Sequence, residues 1–403
     1  MKKDIPYGEG RDPLVTTAME LDPHPEIREA VARICAGFDL DYWRRCDEEG
    51  RFAREFFEAI RDAGFLSIIM PAELGGAGLG MQAAAVMVRT IAEAGGGWTA
   101  ASTVHAYIFG PMSIVAHGSP EQRARMLPPL ISGRERPCFG VTEPSTGLDT
   151  TRIRTRAVRR GDTYYITGQK VWTTGAAIAD RILLLARTTP IEETARPVDG
   201  LSLFFAPMDP RHVTVRPIPK HGLGSIASCE VFIEELPVPV QDRIGEEGRG
   251  FRCLLDSLNP ERIMVAAETV GIGRAALGLA ARYAKEREVF GRKIGQNQAI
   301  QHPLAQSWME LEAANLMTMK AAALYDAKQP CGAEANAAKF LAAEAANKAC
   351  RQAMITHGGY GYAKEYHVER LARESMIPVL APVGQALVLS YIAERVLDLP
   401  KSY

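Results

Sequence analysis

Four short stretches of this chain carry residue types able to do chemistry, and each also reads as ordinary architecture. In Phe139-Gly140-Val141-Thr142-Glu143-Pro144 an apolar run enters a turn that exposes backbone amides and a hydroxyl, and Gly147-Leu148-Asp149 continues it. The same residue types are common in plain turns. Trp172-Thr173-Thr174 sets an aromatic face beside two hydroxyls, which suits a planar ligand, although a tryptophan among strands is most often core. Arg287, in Lys285-Glu286-Arg287-Glu288 and ahead of Phe290, offers a guanidinium fork that matches paired phosphate oxygens; by local sequence alone it is an exposed charged turn. In His357-Gly358-Gly359 the glycines lack a Cβ, so backbone can approach a phosphate closely, while His357 itself reads as a packed helix-end histidine.

The candidate for proton chemistry is Asn259-Pro260-Glu261-Arg262. Asn-Pro-Glu reads as N-cap, N1 and N2 of a helix, or as the kink of a longer one. At a helix start the dipole favours the carboxylate form, which suits a resting base. The plain alternative is a glutamate decorating a helix N-terminus. Residues 375–393, by contrast, contain no acidic residue at all.

The elements that must position these groups fall into three parts. Residues 1–135 read as helices punctuated by glycine, including a helix that carries Phe56, Phe57 and Ile60 and ends near Gly64, and an Ala-rich helix from near Met81. Residues 136–250 alternate short apolar, β-branched or aromatic runs (163–166, 181–186, 201–206, 213–215, 230–233) with turn signals, which predicts an antiparallel β-domain. Residues 251–403 return to helical period, with long amphipathic stretches at 265–285, 298–328 and 334–357.

Composition excludes several classes. A net charge of −1 provides no positive field for nucleic acid or an anionic membrane. Seven dispersed cysteines without a CxxC pair argue for reduced thiols in a cytoplasmic protein, not for a disulfide frame or a zinc site. The uncharged stretch 376–393 holds Pro378, Pro382, Gly384 and Gln385, which a lipid-exposed span would not satisfy, so it is expected to be buried core. No strand–GxGxxG–helix unit marks a dinucleotide fold.

Taken in order, these motifs resemble those of the acyl-CoA dehydrogenase family from about residue 25 to 398, with further islands at Ile69-Met70-Pro71 and Ile244-Gly245-Glu246-Glu247-Gly248-Arg249-Gly250-Phe251. The resemblance implies an α+β multidomain fold: an N-terminal helical domain, a central antiparallel β-barrel and a C-terminal four-helix bundle. It also implies FAD, an acyl-CoA thioester substrate, an electron-transfer flavoprotein as partner, and a homotetramer built as a dimer of dimers. On the matching positions, Phe139, Val141, Thr142, Gly147, Leu148, Trp172, Thr174, Arg287, Phe290, Gln298, Gly358 and Gly359 would contact the cofactor. Leu258, Asn259, Arg262, His105 and Phe109 would meet the substrate, the last two hinting at a short, branched or partly polar acyl group.

The chain departs from the family pattern at three places. Leu148 replaces a serine of Gly-Ser-Asp, Ile355 stands where glutamine is frequent, and Pro382 falls where many members carry the catalytic glutamate. Glu261 matches the base position of isovaleryl- and long-chain-type members. In the family the backbone N–H at the C-terminal position also binds the thioester oxygen; proline has none, so that amide is absent or comes from Ala381 or Val383. Two other readings keep part of this frame: a same-fold flavin monooxygenase, oxidase or carrier-protein-linked dehydrogenase, and a non-enzymatic flavin- or acyl-CoA-binding subunit.

Overall fold

A computed structural model describes residues 23–402. Seven helices come first: α1 (Pro25–Cys35), α2 (Leu40–Glu48), α3 (Arg54–Asp62), α4 (Gly80–Ile91), α5 (Gly97–Phe109), α6 (Met112–His117) and α7 (Pro120–Ile131). Their apolar faces close on one core, in which Trp43 and Phe56 meet edge to face at 4.9 Å and Phe57 packs on Tyr107. Gly64 ends the α3 region in a left-handed conformation (φ 81°), as its sequence position suggests.

Eight strands follow: β1 (Pro137–Gly140), β2 (Arg156–Arg160), β3 (Thr163–Thr174), β4 (Arg181–Arg187), β5 (Leu201–Pro207), β6 (Val213–Pro217), β7 (Ser228–Pro239) and β8 (Arg243–Ile244). They form one sheet in the order β6-β7-β3-β2-β4-β5-β8, with β1 added to β4. Pairing is antiparallel except for β1 with β4 and a single β2–β4 register, where both partners run the same way. The β3–β7 ladder slips between Lys170 and Thr173, and that slip re-aims Trp172.

The third part contains α8 (Gly250–Glu286), α9 (Gln298–Asp326), α10 (Gly332–His357), α11 (Val368–Glu374), α12 (Ile377–Leu380) and α13 (Gln385–Arg395). Helices α8, α9 and α10 pack through alanines, and small residues set their spacing. A methyl group on Gly271 would come within 2.4 Å of the Arg89 carbonyl oxygen, and one on Gly273 within 2.4 Å of Leu311. Either substitution would push α8 off its neighbours.

One open reading is decided here and one expectation is corrected. Helix α8 is continuous for 37 residues with Pro260 in its interior, so of the two readings of Asn259-Pro260-Glu261 the longer helix holds, and no N-terminal dipole acts on Glu261. Residues 376–393 are not buried core. Only Pro378 and Val388 are buried there, while Leu380 and Leu389 are 70% and 53% exposed. An uncharged run marks a surface that must be dry; it does not say that the same chain supplies the cover.

Start of α5 is fixed from the far end of the chain. The fully buried Glu374 carboxylate accepts from the Trp98 and Thr99 backbone N–H groups at 2.6 and 3.3 Å and from the Thr99 hydroxyl at 2.6 Å. Arg370, itself buried, donates to Glu374 at 3.1 Å and to the Gly96 carbonyl at 3.0 Å. Helix α5 is thereby capped and aimed along α8.

Candidate functional site

Where the three parts meet, a cavity of about 1170 Å³ opens. Its walls include His105 and Phe109 of α5; Phe139 of β1 and Val141, Thr142, Gly147 and Leu148 after it; Trp172 and Thr174 of β3; and Leu258, Glu261 and Arg262 of α8. Residues 381–383 close one side. Twelve of the sequence-derived candidates thus share one cavity, although they come from segments far apart in the chain.

The sheet side of the cavity is rigid. Glu143, buried in its turn, accepts from the backbone N–H groups of Arg154 (2.6 Å) and Thr155 (2.9 Å) and from Lys170 Nζ (2.8 Å). Lys170 is fully buried and donates also to the Val141 carbonyl at 3.1 Å. Burial pulls its ammonium down to about 8 against the pull of Glu143. Burial alone would raise the Glu143 carboxyl, but Lys170 and the surrounding hydrogen bonds outweigh it and hold it below the usual range. The turn is thus locked, and Thr142 fixes the next strand by accepting from Val171 N–H at 2.9 Å. Beside it Trp172 sits in the left-handed region (φ 60°) with 58% of its surface exposed, a strained position for a large side chain. The Thr174 hydroxyl lies 3.1 Å from that of Ser228.

The helical side is charged and incompletely paired. No hydrogen bond joins Glu261 to another of the described residues, and it lines the cavity. Burial raises it above the ordinary carboxylate range, and the nearby charges of His105 and Arg262 oppose that rise. His105 Nδ1 lies 2.8 Å from Oε1 of Glu268, which is fully buried. Burial depresses the imidazole, but Glu268 first and then Glu261 outweigh it and hold it above its usual value. Arg262 donates to Asn259 Oδ1 at 3.3 Å and leaves Nε without a partner. Asn259 does not reach the cavity wall and instead steadies the arginine.

The loop opposite Glu261 answers which amide is free. Ala381 N–H is engaged by the Ile377 carbonyl at 2.9 Å, Pro382 has no N–H, and Val383 N–H has no acceptor among the described residues. The Val383 carbonyl accepts from Lys339 Nζ at 2.6 Å. Lys339 is fully buried on α10, and burial together with Arg262 brings it down to about 8.

A second cavity of about 620 Å³ gathers Arg287, Phe290, Gly358 and Gly359. The Arg287 guanidinium lies 5.8 Å from the Tyr360 ring centroid, and Phe290 is fully exposed with φ 53°. Gln298 is exposed and does not join this wall; Asn297 and Ile300 do. His357 is buried, stacks on Tyr283 at 4.3 Å and has Nδ1 2.8 Å from the Ala353 carbonyl, as a packed helix-end residue should.

Comparison with known proteins decides the family. The acyl-CoA dehydrogenase N-terminal, middle and C-terminal domain profiles match residues 22–134, 138–236 and 248–381 in that order. The chain belongs to the acyl-CoA dehydrogenase family. It is 35% identical over 390 residues to acyl-CoA dehydrogenase FadE12 of Mycobacterium tuberculosis, covering 96% of this chain and 99% of that one. It is 34% identical over 337 residues to the CarC subunit of the caffeyl-CoA reductase–Etf complex of Acetobacterium woodii, covering 82% and 86%. The structure of butyryl-CoA dehydrogenase from Megasphaera elsdenii superposes with a TM-score of 0.88 at 25% identity, covering 97% of this chain and all of that one. Members of this acyl-CoA dehydrogenase family are flavoprotein oxidoreductases.

Three groups of the site escaped the sequence. Glu268 lies seven residues after Glu261, a spacing that puts both on one helix face and was legible. Lys339 is a single cation within an alanine-rich helix, and Lys170 sits in a strand that points it inward. Their partners lie far away in sequence and gave no signal.

Proposed function

We propose that this chain is an FAD-dependent acyl-CoA dehydrogenase in which Glu261 removes the α-proton of an acyl-CoA thioester, with electrons leaving to an electron-transfer flavoprotein. One observation carries the assignment: Glu261 is the cavity carboxylate with no hydrogen-bond partner among the described residues, while Pro382 occupies the alternative place for a base. Its raised affinity for protons brings it nearer to the range useful to a general base, and its neighbours Arg262 and His105 keep the ionised form accessible.

The cavities fit the cofactor. The exposed Trp172 face and the locked Thr142 turn suit a planar ring, and Arg287 with Gly358 and Gly359 suits a diphosphate. A flavin held there would supply the acceptor for the hydride of the β-carbon. Glu261 takes the α-proton, Arg262 faces the same pocket, and Val383 N–H is the loop amide left to donate to the thioester oxygen. Exposed Phe290, with Met309 and Leu316 on the outer face of α9, supports assembly into a homo-oligomer in which another copy completes the second cavity.

Anaerobic mixing with a panel of short, branched and aromatic acyl-CoAs should bleach the oxidised flavin absorbance for at least one of them. Glu261→Gln should slow that bleaching by roughly 10²–10⁴-fold while FAD stays bound. A normal rate in that variant would sink the assignment.

A further inference from the structure

Glu261 and Glu268 stand two turns apart on one face of α8, about 10 Å along its axis. Helix α5 packs on this face and brings His105 between them. The imidazole has two distinct ends. Its Nδ1 is held by Glu268 Oε1 at 2.8 Å, whereas Nε2 has no protein partner among the described residues and the ring forms part of the cavity wall with Glu261. Glu268 does not line the cavity, is 0% exposed, and has an Oε2 with no hydrogen bond among the described residues.

A fully buried carboxylate whose only partner is one imidazole is stable as an ion pair when the ring carries the proton. The aromatic contacts of His105 with Trp98 (5.9 Å) and Phe109 (4.9 Å) leave the ring little freedom to turn away. We propose that Glu268 is a positioning residue: it clamps His105 as an imidazolium facing Glu261, so that the base works opposite a fixed positive charge supplied from another helix. The proposal rests on the reading of Glu261 as the base. Besides His105, Glu261 feels Arg262 on its own helix, which favours its ionised form, and more weakly Glu268, which opposes it; Arg262 is in turn backed by Lys339 of α10 and Tyr391 of α13.

The sign follows from the charges. Removing the imidazolium leaves burial less opposed, so Glu261 stays protonated to higher pH and the acid limb of activity moves up. His105→Gln should therefore lose roughly tenfold more activity at pH 6 than at pH 9, relative to wild type. Glu268→Gln separates two roles. If Glu268 acts by holding the charge on His105, the acid limb moves up as in His105→Gln. If it acts merely as a nearby like charge, the limb moves down, and the proposal is wrong; an unmoved limb in either variant also overturns it. Should His105→Gln fail to fold, the His105→Gln/Glu268→Gln double variant replaces both charges by neutral amides and should still move the limb up.

A second readout does not depend on catalysis. The chain has eight histidines, so ¹³Cε1-histidine NMR of the holoenzyme can be assigned at His105 by the His105→Gln spectrum. The His105 resonance should keep its protonated shift to higher pH in wild type than in Glu268→Gln; coincident titrations refute the clamp. A wild type that no acyl-CoA bleaches would refute Glu261 as base, and the histidine titration would still report the pair.

Discussion

The two walls of the main cavity both contain buried charge, and they treat it oppositely. On the sheet side Glu143 is met by two backbone amides and Lys170, and Lys170 by Glu143 and a carbonyl. On the helical side, among the described residues, Glu261 has no hydrogen-bond partner, Glu268 leaves Oε2 unpaired and Arg262 leaves Nε unpaired. A satisfied buried pair rigidifies; an unsatisfied one keeps hydrogen-bonding capacity for something that arrives later. Local polar satisfaction therefore separates the two walls of one pocket, scaffold on the sheet side and, on the helical side, the groups to which chemistry is proposed. The glutamate of Thr142-Glu143-Pro144 belongs to the scaffold although it sits in a motif that reads as cofactor-binding.

The contrast can be broken most forcefully at Lys170. Lys170→Met strands the Glu143 carboxylate in the protein interior and should destabilise the fold by about 3–5 kcal/mol in chemical denaturation, with loss of bound flavin. Adding Glu143→Gln should recover much of that, because the uncompensated charge is gone. A Lys170→Met protein as stable as wild type would show that the pair is not what holds the turn.

A smaller effect is expected from Lys339→Met, which frees the Val383 carbonyl and with it the loop that carries the unengaged Val383 amide. Stability should fall by about 1–3 kcal/mol, and the bleaching rate should fall more than substrate affinity if Val383 N–H serves the developing negative charge. Equal losses in both would point to a purely structural anchor.

Glu261→Gln should shift stability the other way. The folded protein holds the Glu261 proton more tightly than the unfolded chain does, so the carboxyl contributes less stability as pH rises from the unfolded value through the folded one. At pH 8 the neutral variant should be more stable, by about 1 kcal/mol, and the difference should shrink towards pH 4. A destabilised Glu261→Gln would place Glu261 with the satisfied scaffold charges. The smallest effect belongs to Leu148→Ser. Leu148 is 64% exposed at the cavity mouth, so melting should change by less than about 0.5 kcal/mol, and any change in flavin retention reports the returned hydroxyl alone.

Much of this was legible in the sequence. The three-part order, the long helices, the strand runs and the residues around Trp172 and Arg287 follow from periodicity, turn chemistry and motif order, since these depend on neighbours a few positions away. Where the reading failed, the deciding partner was distant or absent. Pro260 read either as a helix start or as the interior of a longer helix, and packing of α8 against α4 and α10 carries the helix through it. Residues 376–393 looked like core because they lack charge, yet they lie on the outside of a single chain.

By itself, then, the sequence determined which residue types sit at which register: a carboxylate at 261, none across 375–393, and no amide hydrogen at 382. Tertiary structure alone decided what those groups face. His105 and Glu268 are 163 residues apart and 2.8 Å from each other, and Lys339 reaches Val383 across 44 residues. Charges act through space and burial, and neither is written in the local spacing of the chain.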